Sequence, residues 1–222
     1  MALRAYFLCM AAGDEEALGP AEIARRLAGA GVSVDERVAA GLATFVALLL
    51  RWNKVYNLTG PRGAGELLDR HLVESFALRP WLRGTSIADV GTGAGLPGVP
   101  LAIAEPGRRF TLIESRAKRV RFLWHAVAEL GLDNAEVAHG RAEQLRVEAP
   151  FATVLARAVA PPAELLDICR PLTAPGSILL LLTATHLQEA FRGLAADFVL
   201  RPLPAEGPKL KSSIVLLERV EA

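Results

Sequence analysis

Cysteine is scarce in this chain of 222 residues, which has only Cys9 and Cys169, far apart. There is no CxxC pair and no Cys/His cluster, so the spacing of a structural zinc site is missing and no metal is expected. Sparse thiols suit a reducing compartment, here the cytoplasm. Charge of one sign is also missing. The net charge is +1, which offers no global attraction for nucleic acid, so any RNA contact must rest on local clusters. Long apolar runs are absent too. No stretch approaches the ~20 uninterrupted apolar residues of a membrane span. The run over residues 178–182 is strongly apolar but only strand length. A short apolar run follows Arg4, and Asp14, Glu15 and Glu16 close it at once. A secretory leader is therefore not expected. The sequence shows no internal repeat and no low-complexity linker.

What is present is a globular composition, 52% hydrophobic and 22% charged, long enough for one sizeable α/β core. Residues 1–82 read as an N-terminal helical segment. Asp35 is the expected N-cap of a helix on which Val38, Leu42, Phe45, Val46, Leu49 and Trp52 form one apolar stripe. Gly60-Pro61 marks a turn. A second helix carries Leu67, Leu68, His71, Leu72 and Phe76. Residues 83–222 change texture. Strands are expected over 87–90, 110–113, 135–138, 152–156 and 178–182, with helices after the first, second and fourth. Residues 198–200 and 214–217 form two more strands with no helix between them. Alternation of strand and helix argues for a doubly wound α/β fold, and the last pair for an antiparallel hairpin closing a mostly parallel sheet.

The chemistry concentrates in Asp89-Val90-Gly91-Thr92-Gly93-Ala94-Gly95-Leu96-Pro97-Gly98. Glycines let a ligand approach the backbone, and Pro97 suits the first turn of a helix whose N-terminus offers a place for an anionic group. Gly93 to Gly98 satisfies the dinucleotide pattern G-x-G-x-x-G, a weak signal alone. Asp89 favours a different ligand. A pyrophosphate is repelled by a carboxylate, whereas the ammonium and sulfonium of S-adenosylmethionine are attracted. Glu114, at the end of the second strand, suits ribose hydroxyls in either kind of cofactor.

These residues resemble the glucose-inhibited division protein B family, the bacterial small-subunit (16S) ribosomal RNA guanine-N7 methyltransferases. The glycine loop through Val99-Pro100-Leu101 resembles the family's signature. Trp52-Asn53-Lys54-Val55-Tyr56-Asn57-Leu58-Thr59, Arg70-His71-Leu72-Val73-Glu74-Ser75, Lys118-Arg119-Val120-Arg121-Phe122-Leu123 and Ala156-Arg157-Ala158 are similar to further blocks in the same order. The resemblance covers roughly residues 38–217. It implies a Rossmann-like class I methyltransferase with a mostly parallel seven-stranded sheet and an N-terminal helical extension. The cofactor is then S-adenosyl-L-methionine. Its site includes Asp89, Gly91, Gly93, Gly95, Leu96 and Glu114, with Ala142 and Glu143 at the adenine and Arg157 at the mouth, near the target base. The implied partner is small-subunit ribosomal RNA or the assembled small subunit, met by a monomer with no membrane. Departures exist: Ala94 replaces a proline, Glu114 an aspartate, and Leu182-Thr183-Ala184-Thr185 stands where the family has Lys-Gly after the fifth strand.

Guanine N7 already carries a lone pair, so alignment with the methyl and exclusion of water suffice. Methylation of a pyrimidine C5 needs a cysteine nucleophile, but Cys169 reads as a buried apolar residue. Ala160-Pro161-Pro162-Ala163 lacks the polar and aromatic members of an amino-methylating loop. Arg116, Lys118, Arg119 and Arg121 are candidates for RNA phosphates, with Lys209 and Lys211 as further ones. His71 is expected to support the pocket. Two readings from other classes stay open: a methyltransferase for a small molecule or protein, and an oxidoreductase using a dinucleotide. A non-catalytic RNA-binding module with a decayed site is disfavoured by the intact loop.

Overall fold

A computed structural model describes residues 18–60, 63–157, 159–187, 189–203 and 210–221. The short apolar run after Arg4, Cys9 and Lys209 lie outside the described residues.

Seven strands form one sheet: β1 Ser86–Val90, β2 Arg109–Glu114, β3 Ala135–His139, β4 Thr153–Arg157, β5 Ile178–Thr183, β6 Phe198–Arg201 and β7 Ser213–Arg219. Their order is β3-β2-β1-β4-β5-β7-β6. The first five run parallel, and β7 lies antiparallel between β5 and β6. The expected mostly parallel sheet with an antiparallel closure is therefore observed. Buried parallel strands are apolar along their whole length, and β5 (Ile-Leu-Leu-Leu-Leu-Thr) follows that rule.

The helices explain themselves in the same way. We label α1 Pro20–Gly29, α2 Glu36–Tyr56, α3 Ala64–Glu66, α4 Val73–Leu78, α5 Gly98–Ala104, α6 Ala117–Glu129 and α7 Pro162–Cys169. Asp35 caps α2, its side chain accepting from the Val38 amide at 2.7 Å. Capping by an aspartate is worth about 1 kcal/mol. Asn57 ends α2 in the left-handed conformation, φ 48°, which asparagine tolerates better than most residues. The stripe Val38, Leu42, Phe45, Val46 and Leu49 is buried, and Trp52 is half-buried. Together with Ile23 and Leu27 of α1, it packs into one hydrophobic cluster with Ile103, Leu112, Phe122 and Leu123. By length and a mean hydropathy of 1.3, α2 could cross a membrane. Here its apolar stripe is instead the core between the N-terminal helices and the sheet layer.

The second expected helix is not uniform. Between α3 and α4, Leu67–Leu72 forms a π-helical turn. The wider turn lets Leu67, Leu68, His71 and Leu72 all face inward. Cys169 is buried at the end of α7, and burial pushes its thiol up to about 12. It packs as an apolar side chain, as read from the sequence.

Candidate active site

A cleft of about 810 Å³ opens at the C-terminal ends of β1, β2 and β4. Its floor is the loop of residues 91–97. Gly91, Gly93 and Gly95 take φ values of +61°, +63° and +81°. A Cβ on Gly95 would also lie 2.6 Å from a Val99 methyl, and one on Gly98 only 2.4 Å from Leu112 and 2.7 Å from Asp89 Oδ2. The loop is thus pressed onto the strands by its own small residues.

Asp89 is the brace of this loop. Its Oδ2 accepts from the Thr92 hydroxyl at 2.6 Å and from the Gly98 amide at 2.8 Å. Its Oδ1 is buried with no hydrogen-bond partner. Burial raises its pKa to about 6, against the lowering effect of Thr92, Gly98 and the Arg157 charge. Asp89 is not among the residues that line the cleft; its Oδ2 turns under the loop. The N-terminus of α5 is not open to an anion either. Gly98 N–H is taken by Asp89, Val99 N–H by Gly95 O at 2.8 Å, Leu101 N–H by Pro97 O at 3.3 Å, and Pro100 has no N–H.

Glu114 ends β2 at the cleft wall and is buried. Oε1 accepts from the Arg116 amide at 2.8 Å, and Oε2 meets Arg119 at 3.4 Å. Each oxygen keeps lone pairs for further donors, which fits a ribose edge. The cleft lies within the size range of small-ligand sites, roughly 300–1,000 Å³. Glycine cradle, acid and volume together fit a nucleoside-containing cofactor.

Across the cleft stands a network the sequence did not reveal. Arg157, at the end of β4, contacts His71 Nδ1 and lies 3.8 Å from Glu74 Oε2. The same Nδ1 lies 3.6 Å from Glu74 Oε2. Burial, aided by the Arg157 charge, depresses the His71 pKa. Ser212, just before β7, donates to Glu74 Oε1 at 2.7 Å. Burial alone pushes Glu74 up, yet His71, Ser212 and Arg157 together hold it below the usual carboxylate range. His71 is buried and lines the cleft from the N-terminal helices, the position its expected supporting role requires. Asn53 does similar work, accepting the Thr59 amide at 2.9 Å and so holding residues 58–60 as a cleft wall.

Of the residues singled out from sequence, the cleft brings together Gly91, Gly93, Leu96, Glu114, Arg116, Arg119, Arg157 and Lys211. Gly95 is buried beneath it. Ala142 is buried behind the wall, Glu143 is exposed, and Arg141 lines the cleft at that loop instead. Lys118 and Arg121 are exposed on α6 beside the cleft. Leu182, Thr183 and Ala184 line it, so the missing Lys-Gly is replaced by neutral wall. Arg70, Glu74, Arg141 and Ser212 were not singled out, although Arg70 and Glu74 lie in a quoted block. In all, six cations (Arg70, Arg116, Arg119, Arg141, Arg157, Lys211) face the cleft against two acids, Glu74 and Glu114. Among the described residues, no group of three or more His, Cys, Asp or Glu is placed to hold a metal ion.

Comparison with known proteins agrees with this geometry. Among solved structures, an O-methyltransferase of Streptomyces achromogenes in complex with SAM matches over 90% of this chain and 96% of its own, with TM-score 0.56 at 18% identity. A SAM-dependent methyltransferase from Aquifex aeolicus matches over 77% and 98%, also at 0.56, with 16% identity. These likenesses establish the class I methyltransferase fold. In sequence, the chain is 41% identical over 181 residues to the ribosomal RNA small subunit methyltransferase G of Stenotrophomonas maltophilia, covering 80% of this chain and 85% of that one. It is 44% identical over 168 residues to the protein of the same name from Halorhodospira halophila, covering 76% and 80%. Residues 39–203 match the family described as rRNA small subunit methyltransferase G. With fold, loop and sequence in accord, the chain belongs to the rRNA small subunit methyltransferase G family.

Proposed function

We propose that this protein transfers a methyl group from S-adenosyl-L-methionine to N7 of a guanine in small-subunit (16S) ribosomal RNA. The observation that carries the reading is the cleft itself: a glycine cradle and Glu114 on one side, and a rim with six cations to two acids. Such a rim attracts a polyanion, although the whole chain carries only +1.

The bound cofactor supplies an electrophilic methyl. Residues 91–97 cradle it, and Glu114 accepts from its ribose hydroxyls. Asp89 acts from beneath, fixing the loop and placing a carboxylate behind it. Arg157, held by His71 and Glu74, positions the target base at the mouth. No residue needs to take a proton, because N7 offers its lone pair directly; the chain's task is alignment and exclusion of water. In this reading residues 83–222 form the methyltransferase domain, and the helices before them are its N-terminal extension.

Incubation of the protein with methyl-labelled cofactor and small subunits from a strain lacking the modification tests the proposal. Label at guanine N7 of the 16S RNA is expected. Absence of label in RNA, or label at another position, overturns it.

A further inference from the structure

Among the described residues, four large hydrophobic side chains are exposed: Val55 (53%), Tyr56 (42%), Trp124 (52%) and Leu194 (40%). Single exposed apolar groups are ordinary, but clustering is informative. Val55 and Tyr56 end α2, and Trp124 lies on α6, the helix that α2 meets through its rings. Ring contacts join the two helices there. Trp52 lies 5.2 Å from Tyr56, 5.6 Å from Phe122 and 5.7 Å from His125, between ring centroids. On α6, Lys118, Arg121 and His125 follow one another at three- and four-residue spacing and so form a row, with Trp124 beside it.

The charges on this surface are as unusual as its rings. Arg116, Lys118 and Arg121 have no acidic side chain within ion-pair distance among the described residues. The surface is also continuous with the cleft at both helices: residues 58–60, just past α2, and Arg116 and Arg119, at the start of α6, all line it. From Arg116 to Trp124, α6 advances about 12 Å, the length of about three stacked nucleotides at ~3.4 Å each.

We infer that this ring-and-cation shelf is a docking surface for an unpaired stretch of the substrate RNA next to the target guanine. Bases stack on Trp124 and Tyr56, while Lys118 and Arg121 hold the phosphates. Exposed rings serve unpaired bases, whose faces are free, whereas in a duplex the faces are covered. A protein partner would find the rings but would have to neutralise the bare cations; an RNA strand satisfies both. The inference rests on the proposed RNA methyltransferase activity and adds the form of RNA and the place where it lies.

The test uses the full chain and its Trp124→Ala, Tyr56→Ala, Trp124→Phe and Lys118→Gln variants. Binding to 16S RNA fragments and methylation of undermethylated small subunits are measured across a salt series. Trp124→Ala and Tyr56→Ala are each expected to weaken RNA binding about tenfold with unchanged cofactor affinity and salt slope, and Trp124→Phe to restore it. Lys118→Gln is expected to shallow the salt slope by about one unit. Unchanged RNA affinity in the Trp124→Ala, Tyr56→Ala double variant overturns the inference, as does equal weakening toward a fully paired RNA. So does wild-type self-association that Trp124→Ala abolishes, which would make the shelf a contact between copies. Full methylation by the double variant sinks the shelf and leaves the proposed function standing, whereas failure of the wild type to methylate rRNA sinks the function itself.

Discussion

The two edges of the sheet treat arginine in opposite ways. At the N-terminal edge, three acids each hold two arginines. Glu105 holds Arg79 at 2.6 Å and Arg108 at 3.1 Å; Glu218 holds Arg201 at 2.7 Å and Arg83 at 3.4 Å; Asp197 holds Arg170 and, at 3.3 Å, Arg219. At the C-terminal edge, Arg70, Arg116, Arg141 and Lys211 line the cleft with no acid in reach among the described residues. The same side chains act as stitches at one edge, whereas at the other, among the described residues, only Arg119 and Arg157 are paired and the rest stay available. A near-neutral chain thereby presents a polyanion with a basic face, which total charge conceals.

Four experiments put this contrast to the test. The largest effect concerns Asp89, the buried acid of the open edge. Its pKa is raised from 3.8 to about 6 in the fold. The folded state therefore binds the proton more tightly than the unfolded one. Its contribution to stability is complete below pH 4 and lost as pH rises through 6, roughly 3 kcal/mol in all at ~1.4 kcal/mol per unit. Denaturant melts of wild type and Asp89→Asn across pH 3.5–7.5 should show that component in the wild type alone. Parallel curves would refute it.

Next in size, the double variant Arg116→Glu, Lys118→Glu should weaken RNA binding roughly a hundredfold in low salt, with the melting temperature unchanged. Asp197→Asn should do the reverse. It leaves Arg170 and Arg219 without their shared partner, costing about 2 kcal/mol of stability in a denaturant titration, while RNA and cofactor affinities stay put. The smallest effect belongs to Glu218→Gln, whose arginine partners are largely exposed. A change within about 0.5 kcal/mol is expected there. A stability loss from the first pair, or a binding loss from the second, would erase the distinction between the edges.

What sequence reasoning reached, and what it missed, follows from the same geometry. The strands, the capped helix α2 and the glycine loop are written in local spacing, so each could be read in order. Glu114 was legible because strand ends point to the cleft in this kind of fold, whereas Arg157 was reached only through the family resemblance. The direction of the Asp89 carboxylate was not legible. Position in the chain places it at the loop, but whether it faces a ligand or the loop's own donors depends on the path of residues 91–98. The meeting of Glu74, His71, Arg157 and Ser212 was beyond reach for another reason: its members come from the helical segment, β4 and the turn into β7, and no spacing relates them. Arg141 was overlooked beside Ala142 and Glu143 because a one-residue difference decides which side chain meets the wall.

The place of β7 has a consequence for how the molecule is made. It is the last of these seven strands to emerge during synthesis, yet it lies inside the sheet, between β5 and β6. Until it inserts, the oily edge of β5 stands bare, an invitation to pair with another chain. Ser212, which completes the Glu74 network, arrives with it. A nascent copy therefore has neither a sealed sheet nor a finished site, and competence comes only once the final strand has threaded home.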